Sequence, residues 1–199
     1  MRAAAPLNDA GSETHMTATG KPLVAVVMGS DSDLPTMHET ELMLEKLAVP
    51  YVTRISSAHR APKKTQALAE ALESEGIEVV IVGAGLAAHL AGAIASVTTL
   101  PVIGVPMEGG SLRGLDALYS IVQMPSGVPV ATMSIGTHGA KNAAIFAAEI
   151  LALGDAGLRT RLKAFKEELE RSVDEKDREI AAGHESAAGA PGPGEEEIR

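Results

Sequence analysis

The strongest constraint on the fold of this chain is an alternation of short apolar runs with amphipathic segments, which begins at Leu23. Such alternation is typical of repeated βα units, whose parallel strands are buried on both faces by helices. Five strands are predicted, near residues 23–28, 51–55, 79–82, 102–105 and 130–134. The predicted helices are near 34–47, 62–75, 88–97, 115–122 and 140–153. We therefore expect an α/β fold with a central parallel sheet of about five strands.

The composition argues against several classes of function. A formal charge of −9 is opposite to what a nucleic-acid surface needs, so a small-molecule partner is favoured. Because the chain has no cysteine, it can form neither a disulfide nor a thiolate zinc site. The chain contains no run of about 20 apolar residues, so no membrane span is predicted. Asp9 and Glu13 interrupt the first 20 residues, which therefore do not resemble a secretory signal. The expected location is cytoplasmic.

The ends of the chain differ from its middle. Residues 1–20 lack periodicity and predict a disordered extension, followed by a folded domain over 21–154. A C-terminal helix over 155–182 is predicted from an apolar stripe on a charged background. The stripe consists of Leu158, Leu162, Phe165, Leu169 and Val173. This helix packs either on its own domain or on a neighbouring subunit, and residues 183–199 predict a disordered acidic tail.

Parallel strands bring their carboxyl ends to one edge of a sheet, and open α/β sheets bind ligands there. The rule selects the loops 29–33, 56–61, 83–90, 106–114 and 135–139. Nearly every chemically capable residue outside the predicted helices lies in them. We therefore expect the site to be assembled from these loops.

The loop 29–33 leads from a strand directly into a helix, where backbone N–H groups favour an anion. In a functional interpretation Ser30 binds a phosphate and Asp33 accepts hydrogen bonds from ribose hydroxyls. The alternative is ordinary helix capping, with Asp33 as the expected cap of the helix that starts at Leu34. The loop by itself does not decide between them.

The loop 56–61 places Ser57, His59 and Arg60 just beyond a strand end. Arg60 offers a permanent planar cation for phosphate, and His59 can both donate and accept a proton near neutral pH. A solvated His-Arg pair on the surface is the competing interpretation.

The loop 83–90 carries Gly83 and Gly85, which suit close approach of a ligand or of another backbone. At a helix start, His89 is expected to be neutral and to hydrogen-bond, in either a structural or a catalytic role. No two histidines have the His-x-x-x-His spacing of a metal site, so we predict no metal. In the 106–114 loop, Glu108 and Arg113 belong to a glycine-rich stretch that is either mobile or closes over a ligand.

Together these segments resemble the PurE-type N5-carboxyaminoimidazole ribonucleotide mutases, over about residues 22–153. The matching segments are Val27-Met28-Gly29-Ser30 with Ser32-Asp33, Ser57-Ala58-His59-Arg60-Ala61-Pro62, Gly83-Ala84-Gly85 with Ala87-Ala88-His89-Leu90, and residues 100–106, 119–125 and 139–151. The resemblance implies a flavodoxin-like three-layer sandwich, assembled as a homo-octamer whose C-terminal helices cross between subunits. It implies no cofactor, because the aminoimidazole ring itself stabilises the intermediate as an enamine.

The resemblance also implies a role for each site residue. Ser30, Ser57 and Arg60 would hold the substrate phosphate, Asp33 the ribose, and His59 would move the proton. The residues expected around the base and the migrating carboxylate are Gly85, Ala87 and His89, with Met124 and Pro125 arriving from a neighbouring subunit.

Two branches of this family use different substrates. Carboxylases that use free carbon dioxide typically have Lys after Ser-Ala-His and lack the Ala-Ala-His-Leu segment, so Arg60 and His89 favour a mutase. The chain departs from the usual pattern at Leu86, often Gly, at residues 108–113, and at Thr137-His138. A non-catalytic phosphate sensor on the same fold would need Ser30 and Arg60 but not His59. A response-regulator receiver is disfavoured, because Gly83 stands where its Asp would be.

Overall fold

The structure is a computed structural model that describes residues 16–17 and 21–188, with side-chain surroundings from 21 to 181. Its centre is a single six-stranded sheet in the order β1-β3-β2-β4-β5-β6. The strands are β1 (Met16–Thr17), β2 (Val24–Met28), β3 (Tyr51–Ile55), β4 (Val79–Ala84), β5 (Val102–Pro106) and β6 (Ala131–Thr132). From β2 to β6 all pairings are parallel, and only β1 pairs antiparallel, with β3. The order of these five parallel strands is that of the flavodoxin-like fold, as expected.

Helices cover both faces of the sheet and complete a three-layer sandwich. They are α1 (Leu34–Lys46), α2 (Pro62–Glu75), α3 (Leu90–Ala95), α4 (Leu115–Val122), α5 (Thr137–Leu151) and α6 (Ala156–Ala188), and a 3-10 turn (Asp31–Asp33) precedes α1. The helices α1 and α5 and the first turns of α6 pack on one face, and α2, α3 and α4 pack on the other. Along β2, Val24, Val26 and Met28 face the first group, whereas Ala25 and Val27 face the second. This two-sided burial explains why the strand reads as a continuous apolar run.

Small residues allow α5 to approach the sheet closely. Five alanines of α5 are fully buried, and a Cβ at Gly139 would overlap the backbone carbonyl of Ser134. Only glycine fits at that position, so the segment before α5 turns tightly into the helix.

Several predicted bounds are wrong at the ends of elements. The fifth parallel strand is only Ala131–Thr132, α3 is shorter than predicted, and β4 continues to Ala84. The helix α6 continues to Ala188, six residues beyond the predicted end at 182, because glycine at 183 weakens a helix without stopping it. The rest of the predicted tail, 189–199, lies outside the described residues.

In the N-terminal segment 1–20 the structure describes only Met16 and Thr17. Instead of belonging to a structureless extension, these two residues pair with Val52 and Tyr51 at the edge of the sheet. The prediction of disorder is therefore wrong for them, because the edge of β3 offers backbone partners that local sequence does not reveal. Within the described part of the chain, no helix is both long enough and apolar enough to cross a membrane.

Candidate active site

A cleft of about 670 Å³ opens at the carboxyl edge of the sheet. It lies above β2 and β4, where the direction of strand addition reverses, as expected for an open α/β sheet. Eight predicted site residues line it: Ser30, Asp33, Ser57, His59, Arg60, Gly85, Ala87 and His89. These eight residues lie on the loops after β2, β3 and β4, which therefore converge on one space.

Backbone hydrogen bonds fix the relative positions of these loops. Gly29 N–H donates to the carbonyl of Gly83 at 3.2 Å, and Ser56 N–H donates to that of Met28 at 2.9 Å. Below the second loop, the buried hydroxyls of Ser56 and Thr65 lie 2.8 Å apart and connect it to α2. The hydrogen bonding of the sheet thus continues into the loops that form the floor of the cleft.

In the loop after β2, Ser30 caps a helical turn, whereas Asp33 faces the cleft. Ser30 begins the 3-10 turn, and its hydroxyl accepts from Ser32 N–H at 3.4 Å and donates to Asp31 Oδ1 at 3.0 Å. Asp33 occupies the N-cap position of α1, yet its side chain makes no capping hydrogen bond. The expectation that Asp33 caps this helix is therefore wrong, because the 3-10 turn presents its carboxylate to the cleft instead.

The surroundings of Asp33 also affect its charge. Partial burial raises the pKa of this carboxyl above its ordinary value, and hydrogen bonds from the Ser30 backbone and the Ser32 hydroxyl oppose the rise. Desolvation is the larger effect. A carboxylate that is partly desolvated and not used for capping is well suited to accept hydrogen bonds from a ligand diol.

Arg60 joins the first two loops. Its Nη2 donates to the Gly29 carbonyl at 3.0 Å, and its Nε lies 3.4 Å from the Ser57 hydroxyl. The Ser57 hydroxyl also accepts from the Arg60 backbone N–H at 3.3 Å. The guanidinium is exposed and lies between the Ser57 hydroxyl and the backbone of the loop that carries Ser30, and all three residues line the cleft.

His59 and His89 form a direct pair across the cleft. Nε2 of His59 lies 2.7 Å from Nδ1 of His89, and the rings meet edge to face with their centroids 4.9 Å apart. Both side chains are exposed, so neither is a core histidine. One nitrogen must donate and the other must accept, so at this distance a proton lies between the two rings. Sequence reasoning gave the two residues separate roles and missed their contact.

Gly83 and Gly85 of the third loop are required for different reasons. A Cβ at Gly83 would lie 2.6 Å from Sδ of Met37 and 3.1 Å from Cε of Met107, so packing against α1 requires glycine there. Gly85 lines the cleft, and a Cβ on it would lie 3.2 Å from Cβ of Met107. Of the two, only Gly85 fits the interpretation in which a ligand approaches the backbone.

The fourth loop contributes residues that sequence reasoning underused. Met107, Glu108, Gly109 and Gly110 line the cleft, and the neighbouring glycines 109 and 110 were the available signal. Arg113, which the sequence placed in the same glycine-rich stretch, does not line the cleft.

Met124 and Pro125 lie away from this cleft. The end of the Met124 side chain packs beside Gly92 of α3, where an added Cβ would be 3.0 Å from Cε. Neither residue is among those that line the cleft of its own chain. Among the described residues, no three histidine, aspartate or glutamate side chains gather as a metal site would require.

The family match begins near the start of the predicted domain and continues into α6. The profile of the family described as AIR carboxylase matches residues 23–172. The N5-carboxyaminoimidazole ribonucleotide mutase of Pyrococcus horikoshii is 53% identical over 156 residues, which are 78% of this chain and 87% of that protein. The mutase of Haemophilus influenzae is 54% identical over 144 residues, 72% of this chain and 88% of that protein. A crystal structure of Treponema denticola PurE superposes with a TM-score of 0.73 at 29% identity, covering 80% of this chain and 98% of that one.

Proposed function

The chain belongs to the AIR carboxylase family, and from this membership we propose that it is an N5-carboxyaminoimidazole ribonucleotide mutase of purine (IMP) biosynthesis. The reaction moves a carboxyl group from the exocyclic nitrogen of aminoimidazole ribonucleotide (AIR) to ring carbon four. One observation carries the proposal: a cationic, hydroxyl-lined corner and an exposed imidazole pair lie in the same cleft. A cytoplasmic location is part of this proposal, because the reaction belongs to nucleotide synthesis.

The phosphate binds in the corner formed by Ser30, Ser57 and Arg60. The guanidinium is already oriented by the Gly29 carbonyl and the Ser57 hydroxyl, so little of its freedom is lost on binding. Asp33 accepts hydrogen bonds from the ribose hydroxyls, because a carboxylate accepts from a diol and repels a phosphate. This division uses the phosphate as an anchor and leaves the base near the third loop.

The base and the migrating carboxylate lie against Gly85, Ala87 and His89. Gly85 permits close approach of the base because it has no side chain toward the cleft. Ala87 is exposed at the same loop and adds only a methyl group. The His89 ring reaches the cleft through its contact with His59.

His59 is the proposed general acid and base. It first donates a proton to the exocyclic nitrogen as the N–C bond breaks and carbon dioxide leaves. Ring carbon four then attacks the carbon dioxide, and His59 removes the proton from that carbon, so the residue ends in its starting state. A positioned acid-base group contributes about 10²–10⁴-fold to the rate, and His89 holds the His59 ring through its hydrogen bond.

Self-association completes the site in this proposal, with Met124 and Pro125 serving the cleft of a neighbouring subunit in a homo-octamer. Support comes from α4, the helix directly before these residues. Leu115, Tyr119 and Val122 on it are 48%, 61% and 49% exposed, which is unusual for three large apolar side chains so close together. Light scattering tests this assembly, and a stable monomer with full activity contradicts it.

The test of the reaction uses two incubations of the full chain. In the first, the N-carboxylated ribonucleotide is supplied, and formation of the C4-carboxylated product is followed. In the second, AIR is supplied with bicarbonate. A mutase is fast in the first and slow in the second, whereas a carboxylase that takes free carbon dioxide shows the reverse. If the protein binds AIR and is inactive in both, it is a sensor and the proposal fails.

A further inference from the structure

Leu86 stands in a backbone conformation that leucine rarely adopts. Its φ is +55°, in the left-handed region where the Cβ approaches the backbone carbonyl. Glycine adopts this conformation without that steric cost. An uncommon conformation of this kind persists where the surroundings hold it, and such residues cluster at functional sites.

The Leu86 side chain lies on the opposite loop of the cleft. A Cβ built on Gly110 would be 2.6 Å from Cδ2 of Leu86, so a leucine methyl group rests directly on the Gly110 backbone. Gly110 itself has φ +62° and is in the 106–114 loop. The contact therefore joins the loop after β4 to the loop after β5, and both residues line the cleft.

Both loops are fixed at their bases. Met107 N–H donates to the Ala84 carbonyl at 2.9 Å, and Gly114 N–H closes the tip of the second loop by donating to Gly109 at 3.2 Å. Between these points no polar contact ties Gly110 to the first loop among the described residues. The leucine is thus an apolar bridge over one side of the cleft, and the residue is 57% exposed to solvent.

We propose that Leu86 closes against Gly110 to retain carbon dioxide in the cleft, which makes it a positioning residue for the transfer. This inference rests on the proposed mutase function. When the N–C bond breaks, the exocyclic nitrogen takes a proton and neutral carbon dioxide is released beside AIR. If the gas leaves before carbon four attacks it, the product is free AIR. Carbon dioxide carries no net charge for a cation to hold, so a leucine wall that excludes water is a suitable barrier.

The bridge therefore acts on the fate of the intermediate more than on the cleavage step. Its readout is the coupling ratio, defined as free AIR released per C4-carboxylated product formed. A residue that only supports the fold would change total turnover or stability and leave this ratio unchanged.

The experiment measures the coupling ratio for wild type and Leu86→Gly with the N-carboxylated substrate, in a carbon dioxide-free buffer. Glycine relieves the backbone conformation, so the variant is expected to fold at least as well. We expect the ratio to rise about fivefold. Burial of less than half of a leucine side chain stabilises the closed contact by about this factor, and glycine loses that stabilisation. Substrate consumption is expected to stay near the wild-type rate, and Leu86→Met is expected to restore the ratio because it can again reach Gly110.

Leu112→Gly is the matched control, since Leu112 is 58% exposed in the loop that carries Gly110 and does not line the cleft. Its coupling ratio should equal that of wild type. Equal ratios in wild type and Leu86→Gly overturn the inference and leave the mutase function standing. No conversion by the wild type overturns the mutase function itself, and with it the retention role.

A second measurement is independent of turnover. Hydrogen exchange of the amides in residues 107–114 is compared between wild type, Leu86→Gly and Leu112→Gly without substrate. Faster exchange around Gly110 in Leu86→Gly alone supports the bridge, whereas unchanged exchange shows that the contact does not hold the loop and overturns it.

Discussion

Gly83→Ala tests why a glycine stands one residue before the end of β4, at the base of the cleft. The added Cβ would lie 2.6 Å from Sδ and 2.9 Å from Cγ of Met37, whose side chain is fully buried. Favourable contacts between such atoms are about 3.5–4.0 Å, so Met37 must move by about 1 Å inside a closed core. Overpacking of this kind costs about 1–3 kcal/mol. We expect the free energy of unfolding to fall by about 2 kcal/mol.

Urea unfolding followed by circular dichroism measures this change at one fixed protein concentration, because self-association would otherwise shift the midpoint. With a slope of about 2 kcal/mol per molar urea, the midpoint falls by about 1 M. Gly85→Ala is the matched control on the same loop. Its Cβ would meet only Met107, at 3.2 Å, so a smaller loss of stability is expected.

A double variant separates packing from other causes. Met37→Ala alone should lower stability by about 2–5 kcal/mol through the cavity it leaves. In that background the cavity receives the new Cβ, so Gly83→Ala should cost little more. If Gly83→Ala leaves the wild-type midpoint unchanged, or if the two losses simply add, the packing explanation is refuted.

Four further outcomes are expected. His59→Asn should lower kcat by about 10²–10⁴-fold with AIR binding retained; near wild-type kcat in steady-state assays would remove His59 from the mechanism. Arg60→Lys should weaken substrate binding by about 1.5–3 kcal/mol, seen as a raised KM, and an unchanged KM contradicts the phosphate role. Because burial raises the pKa of Asp33, KM should rise as the pH falls through that raised value, and Asp33→Asn should flatten the profile. Hydrogen bonds from Thr99 lower the pKa of Glu73. The ionised carboxylate therefore stabilises the fold at neutral pH, and this contribution is lost as the pH falls through the lowered value. Unfolding midpoints of wild type and Glu73→Gln should differ at neutral pH and converge in acid.

The order of elements was predictable from the chain because it depends on local periodicity and on one global rule. Continuous apolar runs such as 24–28 predicted doubly buried strands, and the structure confirms a flavodoxin-like sheet. The rule that parallel strands end at one edge then selected the loops that do line the cleft. Ser30, Ser57 and Arg60 share a corner because their loops follow neighbouring strands, a consequence of topology alone.

Element ends and terminal segments were less predictable. A helix end depends on whether a few marginal residues find partners, so α6 continues through glycine to Ala188 and β6 shrinks to two residues. The strand at Met16–Thr17 exists through its pairing with β3, which local composition does not encode.

Local periodicity and composition were sufficient to predict the layer architecture and the residue types at the edge of the sheet. Which side chains meet depends on tertiary packing. The imidazoles of His59 and His89 come within 2.7 Å although 30 positions separate them, and Leu86 reaches across to Gly110. The same holds for Gly83, whose requirement comes from Met37 on another element. Periodicity reports which face of an element is buried, whereas contacts between distant loops depend on how the elements pack, and that is fixed only when the whole core forms.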